Sequence, residues 1–222
     1  MSMNSPKFSP KLFNTNKPTI KQPISIFPRH SQGLLKTKNL EAEVVYKKDF
    51  LHSIKDSKLH FTNCISELKD PMIDENIKGF ANNPDIINEN LTNIELDRQN
   101  GNRIKAIISR ATGETLVNEF SHYIYESDLK LSKYRLNDRG AFRVFSIYAI
   151  FNIASDSEKH VLMVCLLDPY HLVCPVSYGP NDKQKSMMVT FRQHENLNSS
   201  LEERYGRYFS TEKIIDPQIT MQ

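Results

Sequence analysis

The chain has 222 residues, of which 39% are hydrophobic and 25% are charged, and its formal net charge is +3. This length fits one domain, or one domain with a tail. No apolar run reaches the roughly 18 residues that a membrane-spanning helix needs. The first residues, MSMNSPKFSPKLF, lack the apolar segment of a secretory signal. We therefore expect a cytoplasmic protein that does not associate with membranes.

The positive charge is concentrated in residues 1–40, which contain seven basic side chains and no acidic one. The rest of the chain holds 22 basic and 26 acidic side chains and is mildly acidic. Five of the eleven prolines also lie in this segment and disfavour helices, because each removes an amide donor. The segment predicts a disordered arm, with an extended arm lying on the body as the structural alternative. Its lysines suit contact with phosphate backbones, with a solubilising leader as the functional alternative. The candidate nucleic-acid-binding residues are Lys7, Lys11, Lys17, Lys21, Arg29, Lys36 and Lys38.

The body of the protein begins near residue 41 with short patterns of mixed type. The segment Ala42–Tyr46 predicts a strand, and alternation in Lys58–Ile65 predicts another. Between them, the spacing of apolar residues predicts a short amphipathic helix over 47–57. Residues 67–91 are rich in Asn, Asp and Pro and predict a loop with one helical turn.

A hairpin and a helix are predicted next. Alternating apolar residues on both sides of Asn100-Gly101 predict a β-hairpin over Asn93–Arg110, since both residues tolerate the positive φ of a tight turn. The apolar face that follows predicts a helix over 112–127. Its solvent side carries Glu119, His122 and Glu126.

The densest β-branched and aromatic region of the chain lies between residues 140 and 176. It contains two apolar runs, Phe142–Ile153 and Val161–Leu167, separated by a polar break. Both faces of each run are largely apolar, which predicts a long antiparallel hairpin in the middle of a sheet. The elements predicted after this hairpin are a resumed strand at Leu172–Val176, a strand at Met187–Phe191 and a helix at Leu197–Phe209 capped by Ser199 or Ser200.

The three cysteines, Cys64, Cys165 and Cys174, show no Cys-x-x-Cys or paired Cys/His spacing of the kind that binds zinc. Two of them lie in or beside the apolar hairpin, which is typical of buried reduced thiols in a cytoplasmic protein. Spacing alone leaves a disulfide between Cys165 and Cys174 open. Only seven scattered glycines are present, and they form no phosphate-binding loop. The sequence therefore predicts neither a metal nor a cofactor.

The strongest candidate for catalysis is the segment Asp168-Pro169-Tyr170-His171, at the end of the second predicted core strand. Groups at such ends are held by the sheet and are still accessible. His171 can serve as a general acid or base near neutral pH, and Arg143 can stabilise charge on a phosphate. The candidate catalytic residues are His171, Tyr170, Arg143 and Asp168. In the competing interpretation, Asp168 caps backbone amides and the two rings fill the edge of the core.

The predicted order of helix, turn, long strand, break and second long strand is similar to that of small bacterial toxins that cleave messenger RNA on the ribosome. The segment Tyr134–Phe145, YRLNDRGAFRVF, resembles the YR…G.YRV strand of those toxins. The resemblance implies a metal-independent ribonuclease. The chain departs from the pattern at the end of the hairpin, where the toxins carry a basic cluster and this chain has Asp168.

These features predict one α+β domain over residues 41–212, after the basic arm of residues 1–40 and before a frayed tail over 213–222. We expect an antiparallel sheet built around the central hairpin and flanked by two main helices. The leading functional hypothesis is an intracellular interaction module whose arm contacts RNA, DNA or an acidic protein. The alternative is a metal-independent ribonuclease of toxin or phage-defence type.

Overall fold

The computed structural model describes residues 42–96, 100–132, 142–152, 158–176 and 182–216. The strands are β1 (Glu43–Lys47), β2 (Lys55–Asp56), β3 (Phe61–Thr62), β4 (Leu91–Asn93), β5 (Ile124–Leu129), β6 (Phe142–Asn152), β7 (Glu158–Asp168) and β8 (Ile214–Ile215). The α-helices are α1 (Pro71–Asn82), α2 (Gly101–Thr112), α3 (Glu114–Glu119), α4 (Lys183–His194) and α5 (Leu201–Tyr205). Short 3-10 helices cover Pro84–Asn90, Gly206–Tyr208 and Thr211–Lys213. Helices and strands are thus mixed along the chain, as the α+β prediction requires.

The large sheet is mixed rather than purely antiparallel. Its six strands have the order β4-β5-β6-β7-β1-β8, while β2 and β3 pair separately. The pairings β4-β5, β5-β6 and β6-β7 are antiparallel, whereas β1 pairs parallel with both β7 and β8. The prediction of an antiparallel sheet is wrong for β1 and β8. These two strands pair with partners far away in sequence, and local alternation carries no information about the direction of a distant partner.

The predicted central hairpin is confirmed. Strands β6 and β7 have 11 residues each and pair antiparallel from Arg143 opposite Asp168 to Asn152 opposite Glu158. A β-bulge lies between Phe145 and Ser146. Most of the hairpin's apolar side chains are completely buried, so the two strands form the centre of the core.

The first part of the body differs from its prediction in three places. Strand β1 is confirmed and extends to Lys47, but residues 48–57 form turns, an irregular stretch and β2 instead of a helix. The apolar side chains Phe50, Leu51 and Ile54 are buried without a helix, so helical spacing is not what places them in the core. The strand predicted over Lys58–Ile65 is reduced to the two residues of β3. The loop predicted over 67–91 contains α1, because Asp70 accepts hydrogen bonds from the amides of the first helical turn and Pro71 occupies its first position.

The hairpin predicted around Asn100-Gly101 is wrong, because Asn100 is the N-cap residue of α2. A Cβ on Gly101 would overlap the carbonyl oxygen of Leu96, so the glycine permits a close backbone approach rather than a tight turn. The helix predicted over 112–127 is confirmed only in its first part, as α3, and its second part is wrong. Helix α3 ends at Glu119 and the chain enters β5 at Ile124.

The last elements of the chain also differ in type or length from those predicted. Residues Leu172–Val176 form no strand, and Met187–Phe191 belongs to α4, in which Met187 and Phe191 are buried one helical turn apart. The helix predicted over Leu197–Phe209 is shortened to α5 and a 3-10 turn, with Ser200 as its N-cap as predicted. Both helices that were predicted to flank the sheet, over 112–127 and over Leu197–Phe209, are thus shorter than predicted. Among the described residues the longest helices are α1, α2 and α4, with 12 residues each.

Some predictions fall on residues that the structure does not describe. The basic arm, with all seven of its candidate nucleic-acid-binding residues, lies outside the described ranges, as do the turn at 137–140, most of the polar break and residues 217–222. Within the ranges that are described, no helix is both long and apolar enough to cross a membrane.

Candidate functional site

Asp168 organises the turn that follows β7. Its side chain is completely buried. One carboxylate oxygen accepts a hydrogen bond from the amide of Tyr170 at 3.2 Å, and the other accepts one from the amide of Val173 at 2.7 Å. Burial raises the pKa of Asp168, while the amides of Val173, Leu172 and Tyr170 lower it. The carboxylate thus closes the turn that begins at Pro169.

Replacing Asp168 with Asn is expected to lower the free energy of unfolding by about 2 kcal/mol, because one of the two buried amides then faces an NH₂ group instead of an acceptor. Equilibrium unfolding in urea measures this change. The matched control is Asp182→Asn, at an exposed residue whose side chain caps α4. A loss at Asp168 no larger than at this cap would contradict the role of Asp168 in the turn.

Tyr170 fills the space between the turn and two other segments. The side chain is 8% exposed, and its hydroxyl donates a hydrogen bond to the carbonyl of Cys64 at 3.0 Å. Its ring stacks on His194 of α4, with 3.8 Å between ring centroids. Burial raises the pKa of the phenol above its usual value. Tyr170 therefore holds α4 and the chain after β3 against the end of the hairpin.

His171 has a backbone φ of 58°, in the left-handed region, and is 5% exposed. Burial, followed by the nearby positive charge of Arg143, lowers the pKa of His171 from 6.5 to about 4. The imidazole is consequently neutral at neutral pH. A catalytic base works best with a pKa near the working pH, so a pKa of about 4 makes His171 a weak base.

Arg143 lies on β6 between two acidic residues on the neighbouring strands. It is paired with Asp128 of β5 and with Asp168 of β7 in the sheet register. Its guanidinium forms an ion pair with Asp128, and the Arg143 side chain is 12% exposed. The cation predicted to stabilise a phosphate is therefore already paired with a carboxylate.

The structure thus brings the four predicted catalytic residues to one end of the hairpin, with Arg143 and Asp168 directly opposite each other. The hydrogen bonds of Asp168 to backbone amides and the burial of the Tyr170 and His171 rings are the features that the competing interpretation predicts. The catalytic assignment of the four residues stays a prediction. All three cysteines are free, with Cys64 and Cys165 buried and Cys174 partly buried.

Arg103 of α2 is a central residue of this region that sequence reasoning missed. Its guanidinium donates hydrogen bonds to four backbone carbonyls, which belong to Leu59, His60, Leu172 and Val173. It therefore joins the turn before β3 to the turn after β7. Burial lowers the pKa of Arg103, and the negative charge of Asp168 raises it. No local signal identifies this role, because the four carbonyls are distant in sequence.

A cleft of about 360 Å³ opens beside this region. It lies where β4, β5, the start of α2, the start of α4 and the segment after Val173 meet, and both Glu126 and Cys174 line it. Sequence reasoning placed Glu126 on the solvent side of a helix, whereas the residue lies on β5 and is partly buried. Burial raises the pKa of Glu126, and the charge of Arg143 lowers it. The cleft thus contains a carboxyl group in a partly desolvated position.

Metal ligation finds no support in the part of the chain that the structure describes, where no group of three His, Cys, Asp or Glu side chains is placed to hold an ion. Comparison with known proteins adds no further assignment, since no family model, no curated protein and no solved structure matches this chain.

Proposed function

We propose that the protein is an interaction module that contacts RNA or DNA through its basic N-terminal arm. The observation that carries this proposal is the charge asymmetry of the chain. The first 40 residues hold seven basic side chains and no acidic one, whereas the remainder holds 22 basic and 26 acidic side chains. Cationic side chains bind phosphate backbones mainly by releasing condensed counterions, which requires charge but no fixed geometry.

The bonding inside the body supports a role that is not enzymatic. Asp168 and Tyr170 use their polar atoms on backbone groups, and Arg143 is paired with Asp128. Groups engaged in this way lose stabilising bonds if they turn toward a substrate. The basic arm contains no acidic side chain, so its cations have no partner within the arm's own sequence.

Neutralising the arm is expected to abolish nucleic-acid binding. In the full chain, the seven basic residues of the arm are replaced with Gln, and binding to a single-stranded RNA oligonucleotide is followed by fluorescence anisotropy over a series of salt concentrations. The unchanged protein should bind with an affinity that falls steeply with salt, by about 0.7 log units per log unit of salt for each phosphate contacted. The neutralised protein should show neither binding nor a salt slope.

A scrambled arm of unchanged composition is the matched control, and it should bind like the original because the contact depends on charge. Binding that survives neutralisation would contradict the proposal. Binding of the original protein to an acidic protein surface but not to RNA or DNA would transfer the proposal to a protein partner. Cleavage of the RNA that disappears with His171→Asn would replace it with the ribonuclease alternative.

A further inference from the structure

The cleft beside β5 has the size of a small-molecule site. Its volume of about 360 Å³ falls within the range of roughly 300 to 1,000 Å³ that ligand pockets occupy. Two apolar side chains, Ile94 and Ile104, line part of it and are 6% and 8% exposed. Five of the other lining residues that the structure describes are polar or charged, namely Asn93, Glu95, Asn100, Glu126 and Lys183, and Gly101 and Cys174 complete the described lining. The cleft therefore combines an apolar wall with several polar groups, as small-molecule sites do.

The carboxylate of Glu126 lies within hydrogen-bond reach of the Cys174 thiol, but one of its two oxygens has no partner by geometry among the described residues. That oxygen, Oε2, is buried. Buried carboxylate oxygens normally have a donor, because leaving one unsatisfied is costly. The neighbouring thiol of Cys174 is held neutral, since burial and the charges of Glu126 and Asp168 raise its pKa. A neutral thiol is only a weak donor.

The other polar groups of the lining differ in how many hydrogen bonds or other interactions they already make within the protein. Asn93 donates from its side-chain amide to the carbonyls of His122 and Ile124, and Glu95 interacts with another group of the protein. Asn100 caps α2 without a side-chain hydrogen bond to the helix. Lys183 is exposed at the start of α4. The described lining thus carries two carboxylates and one ammonium, and is negative overall.

We propose that this cleft binds a small organic cation, with an ammonium or guanidinium group of the ligand donating a hydrogen bond to Oε2 of Glu126. An N–H group that carries positive charge is the strongest donor available to a carboxylate. The apolar wall formed by Ile94 and Ile104 accommodates the methylene groups of such a ligand. Lys183 opposes binding, because its charge has the same sign as that of the ligand.

The proposal is tested by isothermal titration calorimetry of the full chain with agmatine, which carries both cationic groups. The protein should bind agmatine at neutral pH and show no heat with acetate. Glu126→Gln preserves the shape of the side chain and removes its charge, and it should weaken binding by about tenfold. The matched control, Glu119→Gln, alters an exposed carboxylate outside the cleft lining and should leave the affinity unchanged.

A second pair of variants keeps the proposal testable if Glu126→Gln fails to fold. Lys183→Met removes the opposing cation and should strengthen agmatine binding by about threefold, whereas Lys185→Met, at an exposed residue outside the lining, should have no effect. Absence of agmatine binding to the original protein would overturn the proposal. The proposal would also be overturned if Lys183→Met bound agmatine more weakly than the original protein, or if the two Glu variants lost the same amount of affinity. Binding of acetate in place of agmatine would overturn it as well.

Discussion

Replacing Arg103 with Met is expected to lower the free energy of unfolding by about 3 kcal/mol. The guanidinium donates to the carbonyls of Leu59 at 2.8 Å, Leu172 at 2.9 Å, Val173 at 3.0 Å and His60 at 3.3 Å. Met fills a similar volume and can donate to none of them. Each carbonyl in a partly buried position then loses a charge-assisted hydrogen bond, and such bonds contribute more than neutral ones.

The matched control for Arg103→Met is Arg110→Met on the same helix. Arg110 forms an ion pair with Asp56 at 3.4 Å, and its side chain is 65% exposed, so its loss should cost less than about 1 kcal/mol. Arg103→Lys retains the charge but lacks the forked geometry, and should fall between the two. Urea unfolding measures all three variants. Similar losses for Arg103→Met and Arg110→Met would show that the four carbonyl contacts do not stabilise the fold.

Acidification from pH 6.5 to pH 4 is expected to reduce the stability of the protein through His171. Its pKa is about 4 in the folded chain, against an ordinary value of 6.5. Below pH 6.5 the unfolded chain therefore binds a proton that the folded chain does not. The free energy of unfolding decreases as the pH is lowered, until the folded pKa is reached. The full difference amounts to about 3 kcal/mol. Urea unfolding as a function of pH measures it.

His171→Asn should remove this pH dependence while preserving the turn. The backbone φ at this position is 58°, and Asn is among the residues that tolerate the left-handed region. His122→Asn, at an exposed histidine, is the matched control and should retain the full loss of stability between pH 6.5 and pH 4. If His171→Asn unfolds with the same pH dependence as the original, His171 does not have the depressed pKa. A pKa close to 6.5 would in turn favour its assignment as a catalytic base.

The local sequence pattern predicted an element correctly where its apolar residues fit a single period and the element pairs with the next element along the chain. The runs Phe142–Ile153 and Val161–Leu167 were predicted as a central hairpin and form β6 and β7. The hairpin also brings Arg143 and Asp168 together, as the candidate site required. Helix-capping residues were informative as well, since Ser200 is the N-cap of α5. In each case the relevant residues are close in sequence or joined by a short connection.

Local pattern failed where one set of apolar residues fits two periods. Ile104 and Ile108 flank Ala106 with the alternation of a strand, but with Ile107 they also form the i, i+3 and i+4 face of a helix. In the folded chain Ile104, Ile107 and Ile108 are buried on α2. The same ambiguity affects Met187 and Phe191 on α4. Only packing against the rest of the core selects the helical period.

The amino-acid sequence alone established the uneven distribution of charge, the α+β class and the central hairpin, because these depend on composition and on contacts between neighbouring segments. The tertiary structure was needed for the parallel pairing of β1, for the burial that lowers the pKa of His171, and for the carbonyl contacts of Arg103 and the cleft at Glu126. Each of these joins segments tens of residues apart. Burial and hydrogen bonding between distant segments follow from the folded arrangement of the whole chain, which no local pattern encodes.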